Sequence, residues 1–260
     1  MEINYKKKFG QNFLTDSNLL AAIVADSKID GSSTAVEIGV GAAALTKQLA
    51  KVAKKVVCWE VDGDLKPVID QNLQGIENTR VIYQDFLKAT NEQIKEAAGT
   101  NFSVVANLPY YITSPIITKL LDSSLQVSSI TIMVQQEVGE RIIALPNTSE
   151  YGVLSVMVQL CGQAKITRRV SRQMFTPVPN VDSCMVQISN IKRPNNYTQI
   201  VEFVKKCFFA RRKTLVNNLG RVYAKQDILQ ALQALGLPQS VRAEALSAGQ
   251  FELLFKELSK

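Results

Sequence analysis

The residues best suited to chemistry are Asn107, Leu108, Pro109 and Tyr110, which follow the apolar run at 104–106. An exocyclic amine on a base needs two hydrogen-bond acceptors to orient it, so that its lone pair faces an electrophilic methyl group. The Asn107 side-chain oxygen can be one acceptor. The Leu108 backbone carbonyl can be the other, because the following proline fixes φ and lacks an N–H. Tyr110 offers a flat face for the base, so these four residues predict amine methylation.

The chain has no histidine, which excludes Ser–His and Cys–His catalysis. Amine methylation needs none, because attack on a sulfonium makes a cationic amine that loses its proton easily. The rate would come from proximity, alignment and desolvation. The four cysteines are widely scattered, without a Cys-x-x-Cys spacing. No metal site is therefore expected, and the cysteines are predicted to be reduced thiols in the cytoplasm.

A glycine turn at Gly39 and Gly41 joins the first predicted strand to the first predicted helix. In an open α/β sheet, ligands bind in the crevice at the carboxyl ends of the strands. Glu60 ends the second strand, where a carboxylate can accept both hydrogen bonds of a ribose diol. Asp85 ends the third strand, where a carboxylate can take the amino group of an adenine. Three successive strands thus end in groups suited to a nucleoside, although a tight turn without a ligand is the alternative.

Two residues of the turn indicate which nucleoside cofactor would bind. Ala44 stands where a dinucleotide-binding loop carries its third glycine. Glu37 lies just before the turn, where a carboxylate is a poor neighbour for a pyrophosphate and a good one for a cationic methionine group. The pattern resembles the acidic-x-Gly-x-Gly motif of class I S-adenosylmethionine methyltransferases, and both residues weaken the alternative of an NAD-dependent oxidoreductase.

A parallel sheet would bring these groups together, and short β-rich runs do alternate with helical patterns along the chain. The segment 151–170 begins as a helix and ends as a strand. The predicted fold class is α/β, a class I (Rossmann-like) methyltransferase sheet of right-handed βαβ units. The predicted strands are 34–40, 55–61, 79–85, 102–108, 130–136 and 183–191.

A polar, proline-bearing break at 191–196 separates this part from a purely helical remainder. The predicted domains are 1–191, which carries the methyltransferase sheet, and 192–260, a small all-helical RNA-binding domain. The second holds 12 of the 30 Lys and Arg residues but only 5 of the 23 Asp and Glu residues. The remainder is balanced at 18 of each, so the whole net charge of +7 lies in the last quarter. This asymmetry favours a polyanionic partner, and a solvated helix face is the alternative.

The Asn-Leu-Pro-Tyr run is similar to the Asn/Asp-Pro-Pro-Tyr motif of amino methyltransferases, in the form used by ribosomal RNA adenine-N6 dimethyltransferases. The resemblance is collinear over nearly the whole chain, and its last two blocks favour the small-subunit (KsgA-type) branch. Val40 departs from the family, where proline is usual between the glycines. The matching blocks are FGQNFL (9–14), QQEVGER (135–141), YGVLSV (151–156), FTPVPNVDS (175–183), RRKTLVNNL (211–219) and RAEALS (242–247).

The resemblance implies a role for each matching residue. Cofactor contacts would come from Gln11, Asn12, Leu14, Glu37, Gly39, Gly41, Glu60, Asp85 and Asn107. The catalytic set would be Asn107, Leu108, Pro109, Tyr110 and Phe175, with Phe175 stacked on the flipped adenine opposite Tyr110. Tyr111 is expected to be a packing residue. Phosphates would be neutralised by Lys205, Lys206, Arg211, Arg212, Lys213 and Arg221.

The implied function is transfer of methyl groups from S-adenosylmethionine to N6 of two adjacent adenines near the 3′ end of small-subunit (16S) ribosomal RNA. The expected partner is the RNA of an immature 30S-type subunit. The expected protein is a cytoplasmic monomer without a metal, and no apolar run is long enough for a membrane span.

Two alternatives remain. The macrolide-resistance branch modifies an adenine of large-subunit RNA and typically carries Ile at the position of Leu108. A non-catalytic ribosome-assembly factor could keep the fold, but the intact Gly39, Glu60, Asn107 and Tyr110 argue against lost catalysis.

Overall fold

The computed structural model describes residues 12–121 and 124–260. Its strands are β1 (Phe13–Leu14), β2 (Thr34–Ile38), β3 (Lys55–Glu60), β4 (Thr79–Tyr83), β5 (Asn101–Asn107), β6 (Gln126–Gln135), β7 (Gln163–Val170), β8 (Phe175–Thr176) and β9 (Ser183–Ser189). Its helices are α1 (Ser17–Ser27), α2 (Ala44–Ala50), α3 (Lys66–Asn72), α4 (Asn91–Ala98), α5 (Thr113–Leu120), α6 (Gln136–Ile143), α7 (Val153–Cys161), α8 (Tyr197–Cys207), α9 (Leu215–Leu219), α10 (Lys225–Ala234) and α11 (Ala248–Leu258).

The large sheet has the strand order β4-β3-β2-β5-β6-β9-β7. The five strands from β4 to β6 are mutually parallel, which confirms the prediction for them. The predicted strand at 183–191, for which the sequence indicated no direction, is β9 and runs antiparallel to β6. The rule of alternating strands and helices did not apply there, because no α-helix separates β7 from β9 and a parallel strand needs a long crossover.

The central strands are apolar on both faces. Consecutive residues Val56 and Val57 of β3 are both fully buried, as are Val104 and Val105 of β5. Since successive side chains of a strand point to opposite faces, both faces of the sheet must be covered. Helices on the two faces therefore fix the strands, and the polar groups that follow them are held at the carboxyl edge.

The chain divides into two compact units, and the second is larger than the sequence analysis predicted. The first comprises the chain up to Gly139 together with Ala164–Ile191, and the second comprises Glu140–Gln163 and Lys192–Lys260. The predicted boundary after residue 191 is also a boundary between these two units. The predicted sheet domain includes residues 140–163, because the segment 151–170 has the pattern of a helix followed by a strand.

Packing explains why α7 belongs to the second unit. Tyr151 and Val156 lie in one apolar cluster with residues of α8, α9, α10 and α11. The Tyr151 hydroxyl donates a hydrogen bond to the Leu246 carbonyl at 2.8 Å, and the Tyr197 hydroxyl donates to the Met157 carbonyl at 3.4 Å. These contacts join segments far apart in sequence, which local patterns do not reveal.

Candidate active site

A cavity of about 200 Å³ lies at the carboxyl ends of β2, β3, β4 and β5, within the first unit. Parallel strands end at one edge of a sheet, so the cavity gathers residues that are far apart in sequence. Gln11 lies outside the described residues. The predicted site residues that line the cavity are Asn12, Leu14, Glu37, Gly39, Gly41, Glu60, Asp85, Asn107, Leu108, Pro109 and Tyr110.

The glycine turn requires glycine at both positions. Gly39 and Gly41 have φ values of +81° and +56°, in the left-handed region that other residues rarely adopt. At Gly41 a Cβ atom would also lie 2.9 Å from Cε1 of Phe13. The N-terminal segment therefore packs directly on the turn.

Glu60 holds the glycine turn against the end of β3. Its Oε2 atom accepts hydrogen bonds from the amides of Val40 at 2.9 Å and Gly41 at 3.1 Å, and Oε1 accepts from Asp62 at 2.8 Å. The residue is only 5% exposed. A carboxylate has about four lone-pair sites, so three amides leave capacity for a ligand hydroxyl. No local sequence pattern indicates that this carboxylate also fixes the turn.

Glu37 is a buried carboxyl group rather than a solvated strand end. The Thr46 hydroxyl donates to its Oε2 atom at 2.6 Å, and the Cys58 thiol lies 3.6 Å from the same oxygen. Burial raises the pKa of Glu37 to about 8, although the Thr46 hydrogen bond opposes the shift. At neutral pH the group is therefore mainly protonated, and a nearby cation would favour its ionised form.

Asp85 has one carboxylate oxygen engaged and one available. Its Oδ1 atom accepts a hydrogen bond from the Leu87 amide at 2.9 Å, and no described residue donates to Oδ2. Beside it, Trp59 and Phe86 pack edge to face with ring centroids 5.4 Å apart. The available oxygen can accept from an amino group in the cavity.

Asn107 is held by a backbone group that the sequence did not indicate. Its Nδ2 atom donates to the Asn12 carbonyl at 3.1 Å, which leaves the Oδ1 atom to accept from a ligand. The Leu108 side chain is 1% exposed and its amide donates to the Met133 carbonyl at 3.3 Å. No hydrogen bond reaches the Leu108 carbonyl from residues 12–121 or 124–260. Two acceptors are thus available at the end of β5.

Tyr110 is anchored through its hydroxyl group. This group lies 2.7 Å from the hydroxyl of Ser183, the first residue of β9, which is fully buried. Burial raises the pKa of Tyr110, so the ring stays neutral. Tyr111 also lines the cavity and is 58% exposed, so the expectation that it is a packing residue is wrong. The turn of 3₁₀-helix at Tyr110–Ile112 directs it outward, a geometry that Pro109 does not reveal in sequence.

Phe175 does not line the cavity. It is 1% exposed and belongs to the apolar cluster that contains Leu14, its partner in the antiparallel pairing of β1 with β8. The structure thus does not bring its ring to the cavity wall opposite Tyr110, as the predicted stacking role requires. Phe175 instead packs in the same apolar cluster as Leu14 and pairs with it through the backbone.

The six basic residues predicted to bind RNA are all exposed, but they are not equally available. Lys205 pairs with Glu202 at 2.6 Å, and Arg211 pairs with Glu244 at 3.6 Å and also donates to the Ser149 carbonyl. The described residues give no ion pair to Lys206, Arg212, Lys213 or Arg221.

Metal-binding and membrane-spanning features are absent from the described part of the chain. Residues 12–121 and 124–260 contain no group of three or more acidic, cysteine or histidine side chains arranged to hold a metal ion. Within the same ranges no helix has the length and apolar character needed to cross a membrane. All four cysteines are buried, and none forms a disulfide within the described part of the chain.

The family model described as ribosomal RNA adenine dimethylase matches residues 2–260. The chain belongs to this family. Ribosomal RNA small subunit methyltransferase A of Bacillus cereus is 42% identical over 271 residues, covering 98% of this chain and 91% of the relative. The protein of the same name from Ligilactobacillus salivarius is 42% identical over 270 residues, covering 99% and 91%. The predicted family is confirmed.

Solved structures of dimethylases and related enzymes share the fold. A dimethyladenosine transferase from Plasmodium falciparum has a TM-score of 0.82 and 26% identity, covering 95% of this chain and 97% of that one. The 23S rRNA methyltransferase ErmE has a TM-score of 0.73 and 26% identity, covering 96% and 100%. The predicted α/β fold class is thereby confirmed.

Replacing Glu37 with Gln should stabilise the ligand-free dimethylase increasingly as pH rises. Because the folded-state pKa of about 8 lies above the ordinary value of 4.5, the folded protein retains a proton that the unfolded chain has lost between these values. The free energy of unfolding of the wild type therefore falls as pH rises through this window. The glutamine side chain of the variant does not titrate, so its stability lacks this pH dependence. Thermal unfolding at about pH 4, 6 and 8 measures the difference. The exposed Glu77→Gln variant is the control, and a Glu37→Gln gain independent of pH would contradict the assignment.

Removing the Ser183 hydroxyl should slow methyl transfer by loosening Tyr110. The Ser183→Ala and Tyr110→Phe variants each lose the same hydrogen bond, at a cost of about 1 kcal/mol. The double variant should then be little slower than either single variant, because the two sites are coupled. Ser189→Ala, at the other end of β9, is the matched control. Fully additive losses would mean that Ser183 does not act through Tyr110.

Proposed function

We propose that the chain transfers methyl groups from S-adenosylmethionine to N6 of two adjacent adenines near the 3′ end of small-subunit ribosomal RNA, forming N6,N6-dimethyladenine. The observation that carries the proposal is the state of the two acceptors at the end of β5. The Asn107 Nδ2 atom is bound to the Asn12 carbonyl, whereas Asn107 Oδ1 and the Leu108 carbonyl are available. Two acceptors that face one cavity fit the two hydrogens of an exocyclic amine.

The residues of the cavity fit S-adenosylmethionine. Asp85 retains an oxygen for an adenine amino group, and Glu60 retains lone pairs for ribose hydroxyls. Glu37 is a buried carboxyl group whose ionised form a nearby cation would favour. The sulfonium of S-adenosylmethionine is such a cation. Gly39 and Gly41 let the backbone pass close to the ligand. When bound, this cofactor supplies an electrophilic methyl group.

The chain's own residues would orient the amine and exclude water. Asn107 Oδ1 and the Leu108 carbonyl accept from the amine, which leaves its lone pair directed away from both acceptors. The Tyr110 ring, fixed by Ser183, offers a stacking face. No side chain has to remove a proton, because a methylated amine is a strong acid while it is cationic. This agrees with a chain that has no histidine.

The choice of the small subunit rests on the relatives. The relatives that are 42% identical over nearly the full chain are named as small-subunit methyltransferases, whereas the 23S rRNA methyltransferase ErmE is 26% identical. Leu108 and the RAEALS block at 242–247 favour the same branch. We expect the substrate to be an immature small subunit in the cytoplasm, bound by a monomer through the basic residues of the second unit.

Labelled S-adenosylmethionine and under-methylated small subunits test the proposal. The wild-type protein should deposit label as N6,N6-dimethyladenine in small-subunit RNA. Asn107→Ala should lower transfer by about 100-fold, because the amine loses an orienting acceptor, and it should leave binding to the subunit unchanged.

Asn101→Ala is the matched control, because Asn101 is the same residue type at the opposite end of β5 and is exposed. It should transfer methyl groups like the wild type. Label that appears only in large-subunit RNA would refute the branch assignment, and unchanged turnover by Asn107→Ala would remove Asn107 from the mechanism.

A further inference from the structure

The turn between α8 and α9 carries two phenylalanines that face in opposite directions. The Phe208 ring is partly buried and packs against the core of the second unit, with its centroid 5.7 Å from that of Phe251 and 6.3 Å from that of Tyr151. Phe209 is 67% exposed. The Phe209 ring therefore leaves apolar surface in contact with water, which a stacking partner could cover.

Arg221 covers part of this exposed ring. Its guanidinium carbon lies 4.0 Å from the Phe209 ring centroid, and Arg221 is itself exposed. Arg221 follows α9, whereas Phe209 precedes it, so the two side chains meet across one short helix. They present an exposed aromatic ring with a planar cation over one of its faces, and both groups have flat faces on which a base can stack.

The backbone on both sides of this surface is fixed. The buried Asn218 side chain donates to the carbonyls of Cys207 at 2.7 Å and Ala210 at 3.2 Å, which holds the turn around Phe209. After Arg221, the Tyr223 ring packs against Phe203 with centroids 6.3 Å apart. The surface is therefore preorganised, and little conformational entropy of the protein backbone would be lost when a ligand binds to it.

Basic residues close in sequence to Phe209 are available to bind an anionic partner. Lys206, Arg212 and Lys213 are exposed and, among the described residues, have no ion-pair partner. An apolar patch on a protein partner could cover the Phe209 ring. Such a patch would offer no anion to Lys206, Arg212 or Lys213, so these cations would stay unpaired. An RNA strand satisfies both features, because phosphates pair with the cations while an unpaired base stacks on the flat surface.

We propose that Phe209 and Arg221 form a stacking platform for an unpaired base of the RNA substrate. The platform belongs to the second unit and is distinct from the cavity that receives the reacting adenine. It rests on the proposed function, since it requires RNA as the partner. Stacking adds affinity without reading the base sequence strongly, so the platform favours RNA with an unpaired or bulged nucleotide over continuous duplex.

Salt dependence separates stacking from phosphate contacts. Phe209→Leu keeps an apolar side chain but removes the ring, and it should weaken binding to small subunits by about 5- to 100-fold. The slope of log affinity against log salt should not change, because no phosphate contact is lost. Phe209→Trp should bind as tightly as the wild type. Arg212→Ala should instead reduce the slope.

Leu253→Ala is the matched control, because Leu253 is an exposed apolar residue of α11 in the same unit. It should bind like the wild type. The fluorescence of the Phe209→Trp variant provides a second readout, since an indole stacked on a base is quenched. Trp59 is 2% exposed and present in both proteins, so the wild-type signal is subtracted as background.

The outcomes separate the platform from the proposed function. Wild-type methyl transfer to small subunits, together with unchanged binding by Phe209→Leu and no quenching in Phe209→Trp, overturns the platform alone. A wild-type protein that neither methylates nor binds small subunits overturns the proposed function. Weaker binding by Phe209→Leu with an unchanged salt slope and a quenched Phe209→Trp variant supports the platform.

Discussion

The hydrogen bond from the Asn107 side chain to the Asn12 backbone carbonyl determines what the cavity can do. A side-chain amide can present either its donor or its acceptor to a ligand, and this bond leaves the acceptor for the cavity. The N-terminal segment that supplies the carbonyl is itself held from two sides. Leu14 pairs with Phe175 in a short antiparallel ladder, and the Phe13 ring packs over Gly41. One segment thus couples the Asn107 amide, the glycine turn and the loop that precedes β9.

The three carboxyl groups of the cavity occupy different environments, which fits them for different tasks. Glu37 is buried and protonated near neutral pH, Glu60 is bound by three backbone amides, and Asp85 is half-buried with one oxygen available. A cation bound in the cavity would stabilise the ionised form of Glu37, the most buried of the three. The cavity therefore holds one protonated carboxyl group beside two that keep acceptor capacity, all within one enclosure at the carboxyl edge of the sheet.

Sequence patterns predicted most of the sheet and most of the cavity, because both follow from local rules. Strands read as apolar runs, and the groups at their carboxyl ends must meet at one edge. The errors concern contacts between distant segments. The Asn12 carbonyl, the Ser183 hydroxyl and the Glu60 bonds to the turn are tertiary contacts without a local pattern. Phe175 has an aromatic type suited to stacking, but strand pairing with Leu14 buries it. Phe209 was missed because a single aromatic beside basic residues has no periodicity.

The central claim is that Asn107 Oδ1 and the Leu108 carbonyl together orient the target amine. A crystal structure of the protein with S-adenosylhomocysteine and an adenine-bearing RNA fragment tests this directly. The account predicts N6 of the adenine at about 2.7–3.2 Å from both oxygens, with the Asn107 Nδ2 atom still bound to the Asn12 carbonyl. An adenine whose N6 is held by other groups, or a reversed Asn107 amide that faces N6 with its own NH₂, would contradict it.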